Sequence, residues 1–449
     1  MTEESYDDTV LHPVAKLIVK KLDDFYFAFN VDYPNIIVTD KIGKGFLELC
    51  DGTRKVSDIF DCLCSQYPGE VSKVEITSFA RSLMKNDFVS TEPDCKPTRP
   101  RRSFGKLYKL YANITHACNM ECKYCYINAR EPYKNELTEQ EWAYQITEFS
   151  GLGGTELVIT GGEPFIRKNV LRPVVTTARE LGIEKINIET NGTLIDEEDG
   201  NFCARNKVRV CVGLGGASSQ IHTRVRGGAF EEAIRGIRNL IGAGVDTAIG
   251  MTITRTNLHE AEDLLKLAKK LGAGSITLSQ VTMVGRAKDY PELEVPLKET
   301  VPIFKKVLDE GQRLGVKTAY EAVVMDTKQL PVRNLCEAGT GILSISSNGD
   351  VYPCNSFQET PFKAGNVREK NLSQIWKDSE VLKMFRSLDI SDIPECRDCE
   401  WRHLCSGGCI AQTFHAYGTM KKCSPHCSYF KEVYSALITR LARKLWNEG

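Results

Sequence analysis

The sequence predicts an α/β protein whose centre is a partial (β/α)6 TIM-like barrel. A winged-helix-like α+β domain precedes the barrel and a cysteine-rich domain follows it. Three observations predict this. From residue 107 to about 290, apolar β-type runs alternate with amphipathic helical segments, a pattern that calls for a parallel sheet covered by helices, with catalytic loops at the C-terminal strand ends. The first 92 residues instead carry a short apolar alternating pair followed by three amphipathic segments. Finally, the cysteines are not spread evenly: three lie between Cys118 and Cys125 and eight between Cys336 and Cys427.

A chain of 449 residues exceeds what one hydrophobic core usually organises, so two or three domains are expected. Lys plus Arg number 58 against 59 Asp plus Glu, which leaves no overall basic field for a nucleic-acid partner. The acidic, polar start MTEESYDD is unlike a secretory signal, and no run of roughly 18 apolar residues follows, so a cytoplasmic protein with no membrane partner is expected. Seventeen cysteines in a long chain without an export signal point to metal rather than disulfides. Cys50, Cys62, Cys64, Cys95, Cys203 and Cys211 stand apart from the clusters and are expected to pack as small hydrophobes.

The elements follow in order. FYFAF and IIVTD read as strands, and Ile42 to Leu49, Val56 to Tyr67 and Glu75 to Met84 as short helices. TEPDCKPTRPRRSFGK cannot sustain a helix or a strand ladder and marks a linker over 93–106. The six barrel strands are LYANI, ELVIT, KINIE, VRVCVGL, DTAIGMTI and SITLSQV, separated by helical segments such as AFEEAIRGIRNLIGAG. A long helix is expected around 298–315. Beyond it, cysteine and glycine dominate with few long periodic runs, so metal centres are expected to stand in for a large apolar core. The domains read as 1–92, 107–325 and 326–449.

ITHACNMECKYCY places Cys118, Cys122 and Cys125 in a C-x3-C-x2-C array just after the first barrel strand. Three thiolates can hold three irons of a [4Fe–4S] cube and leave the fourth open to a small ligand. A zinc site would want a fourth ligand, for which His116 is the nearby candidate. The array resembles the radical S-adenosylmethionine superfamily, in which the open iron chelates the methionyl amine and carboxylate of the cofactor. Tyr124 occupies the aromatic position before the last cysteine. Gly161, Gly162, Glu163 and Pro164, ending the second strand, resemble the family's GGEP loop over the methionyl amine, where glycines allow close approach to a ligand. Thr190 and Asn191 at the third strand end, and Arg286 after the sixth, are further cofactor-binding candidates; simple strand-end capping is the competing reading. Many relatives carry Ser or Asp at the fourth strand end to hold the ribose, where this chain has Gly213, Gly215 and Gly216. His222 and Arg226 downstream match the family pattern.

In the last third, Cys336, then G-x4-C ending at Cys354, then Cys396-x2-Cys399-x5-Cys405-x3-Cys409 and a final Cys427 resemble the SPASM extension of radical enzymes. The resemblance implies interlaced ligands: Cys396, Cys399, Cys405 and Cys427 for an outer auxiliary cluster, and Cys336, Cys354 and Cys409 for an inner one. Cys423 is left over, or closes the inner cluster. If the inner cluster has only three thiolates, its open iron is able to bind a substrate thiolate. A zinc ribbon over Cys396 to Cys409 is the alternative.

FLELCDGTRKVSDIFDCLCSQYPGE, with Gly45, Leu47, Asp51 and Gly52, resembles the leader-recognition element of enzymes that modify ribosomally made peptides, which bind a leader as an added strand. A DNA-binding winged helix is the competing reading, disfavoured by charge. Together these resemblances imply S-adenosylmethionine and three [4Fe–4S] clusters as cofactors. They also imply a precursor peptide with a leader as substrate, and an electron donor such as flavodoxin or ferredoxin. Cofactor cleavage to a 5′-deoxyadenosyl radical would be followed by hydrogen abstraction from the peptide. A cysteine thioether cross-link, as in sactipeptides and ranthipeptides, is the expected product. Carbon–carbon cross-linking or peptide oxidation is the alternative within the enzyme class, and an Fe–S or zinc winged-helix redox regulator the alternative outside it.

Overall fold

The computed structural model describes residues 7–15, 17–30, 36–95, 106–318 and 335–448. Most of the linker expected at 93–106, and the boundary expected near 325, lie outside the described residues.

The six expected barrel strands all form. They are β6 (Lys109–Asn113), β7 (Glu156–Thr160), β8 (Lys185–Thr190), β9 (Arg209–Gly213), β10 (Thr247–Ile253) and β11 (Ser275–Gln280), running parallel in that order. Within most of these strands the side chains alternate. Leu157 and Ile159, Ile186 and Ile188, and Val210 and Val212 face outward into one core with Trp142, Ile146 and Phe149 of helix Glu139–Gly151 and with Val170, Val174 and Ala178 of helix Lys168–Glu180. The intervening Thr160, Glu189, Cys211, Gly250, Thr277 and Ser279 line a cavity. A parallel strand packed on both faces reads as a continuous apolar run; the polar alternates here mark an inner face that is hollow.

The sheet extends past the six strands at both edges. β12 (Lys317–Thr318) pairs with β11, and β13 (Ile342–Ile345) runs parallel to β6 and continues antiparallel into β14 (Asp350–Tyr352) and β15 (Gly365–Asn366). A strand from the cysteine-rich region is thus hydrogen-bonded to the first barrel strand.

The N-terminal unit has three helices, Lys41–Leu49, Val56–Gln66 and Lys73–Lys85, close to those expected. Asp40 caps the first by accepting from the N–H groups of Ile42 and Gly43 at 3.0 and 2.8 Å. The expected strands Phe25–Asn30 (β3) and Ile36–Thr39 (β4) are joined by a third, Leu17–Leu22 (β2), in the order β2-β3-β4; a small pair, β1 (His12–Pro13) and β5 (Val89–Ser90), completes the unit. Phe46, Ile59, Leu63, Ala80 and Leu83 form its own core. β3 has a second apolar face: Phe25, Phe27 and Phe29 pack against Trp401, Tyr429, Val433 and Phe304. The Phe29 and Trp401 ring centroids are 5.0 Å apart, and Lys20 Nζ pairs with Glu400 at 2.9 Å.

The C-terminal third departs from expectation. It ends in a 22-residue helix, Cys427–Glu448, which packs along the expected helix Leu297–Leu314. It also contains a second core of Tyr352, Phe357, Phe385, Ile390 and Ile410. Apolar packing, and not metal alone, organises this region. Among the described residues no helix is long and apolar enough to cross a membrane.

Candidate active site

One cavity of about 500 Å³ opens at the C-terminal ends of the barrel strands. Cys118, Cys122 and Cys125 line it from the loop after β6, and Cys409 lines it from the cysteine-rich region. The loop is pinned on three sides. Arg286 donates from Nε to the Cys122 carbonyl and from Nη1 to the Ala129 carbonyl, both at 3.0 Å, while its own N–H bonds the Cys125 carbonyl. Gly162 and Glu163 donate their N–H groups to the carbonyls of Thr115 and Ala117 at 2.8 and 2.7 Å. Asn119 bonds to Asn191 and Thr193.

These contacts show what the expected cofactor-binding residues bond within the chain. A Cβ on Gly161 would lie 2.3 Å from the Thr115 carbonyl oxygen, and one on Gly162 2.1 Å from that of Ala117. The glycines are therefore required by the approach of two backbones, not by a ligand alone. The Glu163 carboxylate turns inward: it accepts from Thr190 Oγ1 and the Asn191 N–H, both at 2.7 Å, and from the Phe165 N–H at 3.0 Å. Burial pushes its pKa up against those donors. Pro164, itself buried, opens the turn Pro164–Arg167. Gly161, Gly162, Thr190, Asn191, Tyr124 and Arg286 line the cavity, whereas Glu163 and Pro164 support its wall.

His116 is not a fourth ligand to the triad. Its ring nitrogens face the carbonyls of Glu131 and Ile127, each at 2.9 Å, and the ring stacks on Tyr133. At the fourth strand end, the missing side chain of Gly213 leaves room for Arg226: a Cβ there would meet the Arg226 guanidinium at 2.4 Å. Arg226 donates to the Tyr124 hydroxyl at 3.2 Å. Burial works against its charge, yet Cys122, Tyr124 and Cys118 outweigh this and hold its pKa above the ordinary value. Sequence reasoning also missed Glu189 and Cys211, which line the cavity; period-two alternation in KINIET and VRVCVG carried the signal. Cys50 and Cys203 are buried in cores as expected, whereas Cys62 is exposed and Cys64 and Cys95 are only partly buried.

The thiols fit clusters by their donor sets. Burial raises the Cys118 pKa to about 11, with Glu163, Cys122 and Cys125 adding repulsion, while the Met120 N–H points at its sulfur. Cys125 is raised by burial and relieved by Arg286 and the N–H groups of Ala129 and Ile127. Amides aimed at sulfur suit thiolates bound to a cluster. Cys354 is likewise raised by burial and by repulsion from Cys336 and Cys409, and receives the N–H groups of Ser356 and Phe357. Cys405 is pushed to about 12 by burial, then by Cys427, Cys396 and Cys399. Cys354 thus lies near Cys336 and Cys409, and Cys405 near Cys427, Cys396 and Cys399, the groupings that the resemblance implies. Cys423 falls beside the outer set, hydrogen-bonded to Cys427 and facing Cys396. Among the described residues no three His, Cys, Asp or Glu side chains converge as a single metal ion would need.

A barrel with a three-thiol loop at its mouth and further thiol sets beside it defines an iron–sulfur enzyme. Residues 112–268 match the model of the Radical SAM superfamily and residues 336–400 that of an iron–sulfur cluster-binding domain, SPASM. An AdoMet-dependent heme synthase of Oleidesulfovibrio alaskensis is 31% identical over 343 residues, covering 70% of this chain and 86% of that protein. The mycofactocin maturase MftC of Mycobacterium ulcerans is 29% identical over 322 residues, covering 70% and 86%. The chain belongs to the radical SAM superfamily, and its cofactors are S-adenosylmethionine and multiple [4Fe–4S] clusters. The fold is shared with Streptococcus suis SuiB bound to its precursor peptide SuiA, with a TM-score of 0.60 at 18% identity over 92% of this chain and 98% of that one. It is also shared with native anSMEcpe bound to AdoMet and the Kp18Cys peptide, with a TM-score of 0.64 at 20% identity over 76% and 99%.

Proposed function

We propose that the protein is a peptide maturase that removes hydrogen from a ribosomally made precursor and forms a cross-link in it, a cysteine thioether. The observation that carries this reading is the N-terminal unit. Among the described residues its three-stranded sheet has two edge strands, β2 and β4, each paired in that sheet with β3 only, and such an edge is a template for an extended leader. The unit is docked on the cysteine-rich region through Phe29 and Trp401, so a leader held there stays close to the catalytic body. SuiB, solved with precursor peptide SuiA, shares the fold over 92% of this chain, and MftC is named a maturase. Both support the reading. On it, residues 1–92 form the leader-recognition domain, 107–325 the barrel and 326–449 the auxiliary-cluster domain.

Cys118, Cys122 and Cys125 would hold the cluster that binds S-adenosylmethionine. When bound, that cofactor supplies hydrogen-atom abstraction, fed by an electron donor of the flavodoxin or ferredoxin kind. The cation Arg226 suits the cofactor's carboxylate, Tyr124 shapes the cavity beside it, and Thr190, Asn191 and Arg286 keep the loop in place. Cys336, Cys354 and Cys409 would hold the inner auxiliary cluster, and Cys396, Cys399, Cys405 and Cys427 the outer one. Cys409 opens into the cavity shared with the first triad, and Cys423 lies with the outer set. Three thiols on the inner set leave an iron position for a peptide thiolate, which favours carbon–sulfur bond formation over carbon–carbon linkage.

Porphyrin chemistry is the second reading, favoured by the 31% identity to a heme synthase. Coexpression with small peptides encoded beside the gene separates the two: a peptide lighter by two hydrogens per cross-link supports maturation. Turnover of an iron porphyrin with every peptide unchanged contradicts it.

A further inference from the structure

Oxidative cross-linking releases a proton inside the barrel cavity, and some group must accept it. The cavity-lining residues described include one carboxylate, Glu189. It stands on β8 between Ile188, which is turned into the wall, and Thr190, which hydrogen-bonds to Glu163 and also reaches the cavity. Glu189 is solvent-accessible and lines the cavity.

Its surroundings leave the carboxylate available. Thr160, opposite on β7, hydrogen-bonds to it, and Lys109 is the cation that bears on it; Lys109 is already paired with Glu156 at 2.7 Å. Cys211 faces it from β9. Tyr111 on β6 and Tyr126 beside Cys125 each feel both Glu189 and Cys354, and the Tyr126 hydroxyl is hydrogen-bonded to Asn355, the neighbour of Cys354. Glu189 therefore lies between the cofactor loop and the inner auxiliary set. Among the other cavity groups, His415 Nε2 bonds the Ser356 carbonyl at 3.2 Å, Arg226 bonds Tyr124 and Arg286 bonds the cysteine loop, while burial pushes the Cys211 thiol up to about 12. Burial raises the Glu189 pKa, which suits a base that must bind a proton and later release it.

We propose that Glu189 is the catalytic residue that accepts the proton released when the substrate is oxidised. This rests on the peptide-maturase reading. A substrate C–H and S–H are broken and a C–S bond forms. The hydrogen atom leaves on 5′-deoxyadenosine, one electron passes to an oxidised auxiliary [4Fe–4S] cluster, and the thiol proton passes to Glu189.

The test uses the full-length, cluster-loaded enzyme and a precursor peptide that the wild type modifies, deuterated at the carbon attacked. In Glu189→Gln the yield of cross-link per 5′-deoxyadenosine is expected to fall by about a hundredfold. A substrate-centred radical should build up in the electron paramagnetic resonance spectrum, with iron content as in wild type, and Glu189→Asp should recover part of the yield. A wild-type yield per 5′-deoxyadenosine in Glu189→Gln overturns the assignment. So does a raised KM with that ratio kept, which would make Glu189 a binding group. If Glu189→Gln fails to take up iron, Glu189→Asp and Thr160→Val carry the test, and an undiminished ratio in both overturns it. Failure of the wild type to modify any peptide sinks the peptide reading instead, and the same ratio is then read on the product that the wild type makes.

Discussion

Gly161 and Gly162 sit where a single methyl group would collide with the carbonyls of Thr115 and Ala117. The collision partner is backbone and cannot swing aside, so Gly162→Ala should cost roughly 1–3 kcal/mol from overpacking and displace the cysteine loop. Iron content and thermal stability of the purified variant check this together. Replacing Cys118, Cys122 and Cys125 by Ala should abolish cofactor cleavage and leave roughly two thirds of the iron, one cube of three being lost; residual 5′-deoxyadenosine would refute the triad. Cys423 lies with the outer set, so Cys423→Ala should keep the inner auxiliary cluster, and loss of that cluster's spectrum would refute an open inner site. His222 accepts the Gly215 N–H at 3.2 Å, and burial, then Arg226, lowers its pKa to about 4. The unfolded chain binds a proton near pH 6.5 that the native state refuses. Stability therefore falls as pH drops from about 6.5 to about 4, by around 3 kcal/mol in total. His222→Gln should flatten that fall, measured as the change in denaturation midpoint with pH relative to wild type.

At the scale of elements, the barrel strands were legible as short apolar β-type runs, several of them with period-two alternation, and their helices because apolar residues recur at helical spacing. What the alternation also carried, the identity of the cavity-facing set, went unread at Glu189 and Cys211. β2 was missed because LIVKKL is half-exposed throughout and offers no clean period. The helix Cys427–Glu448 was missed because cysteines dominate the sequence before it, although its YFKEVYSALITRL stretch is periodic. The cysteine clusters were legible from spacing and their division into ligand sets is what the resemblance implies, but the partners of Thr190, Asn191, Glu163 and Arg286 depend on how loops meet, which spacing does not encode. Packing between Phe29 and Trp401 joins the N-terminal sheet to the outer cysteine loop. Trp401 is buried, so Trp401→Ala should cost about 3–5 kcal/mol and loosen both; limited proteolysis that cuts within the first 92 residues faster than in wild type checks it.

Across the whole molecule, one cavity takes the cofactor loop from one side and Cys409 from the other. β13 hydrogen-bonds to β6, so the barrel and the cysteine-rich region share a sheet. Asn113 Nδ2 donates to Ser344 Oγ at 3.0 Å and to Asn355 Oδ1 at 2.9 Å, fixing that junction where Tyr126 also bonds. Deleting residues 1–92 would bare Trp401, Tyr429 and Phe304, so truncation perturbs the auxiliary region as well as leader binding. Substrate identity is better tested on the intact enzyme. The most direct measurement is anaerobic turnover of the reduced, full-length protein with S-adenosylmethionine and a cysteine-containing precursor peptide, read by mass spectrometry. The account predicts a peptide lighter by two hydrogens per cross-link, 5′-deoxyadenosine formed with it, and no change in a peptide whose cysteines are serine. An unaltered cysteine peptide beside turnover of an iron porphyrin would contradict it.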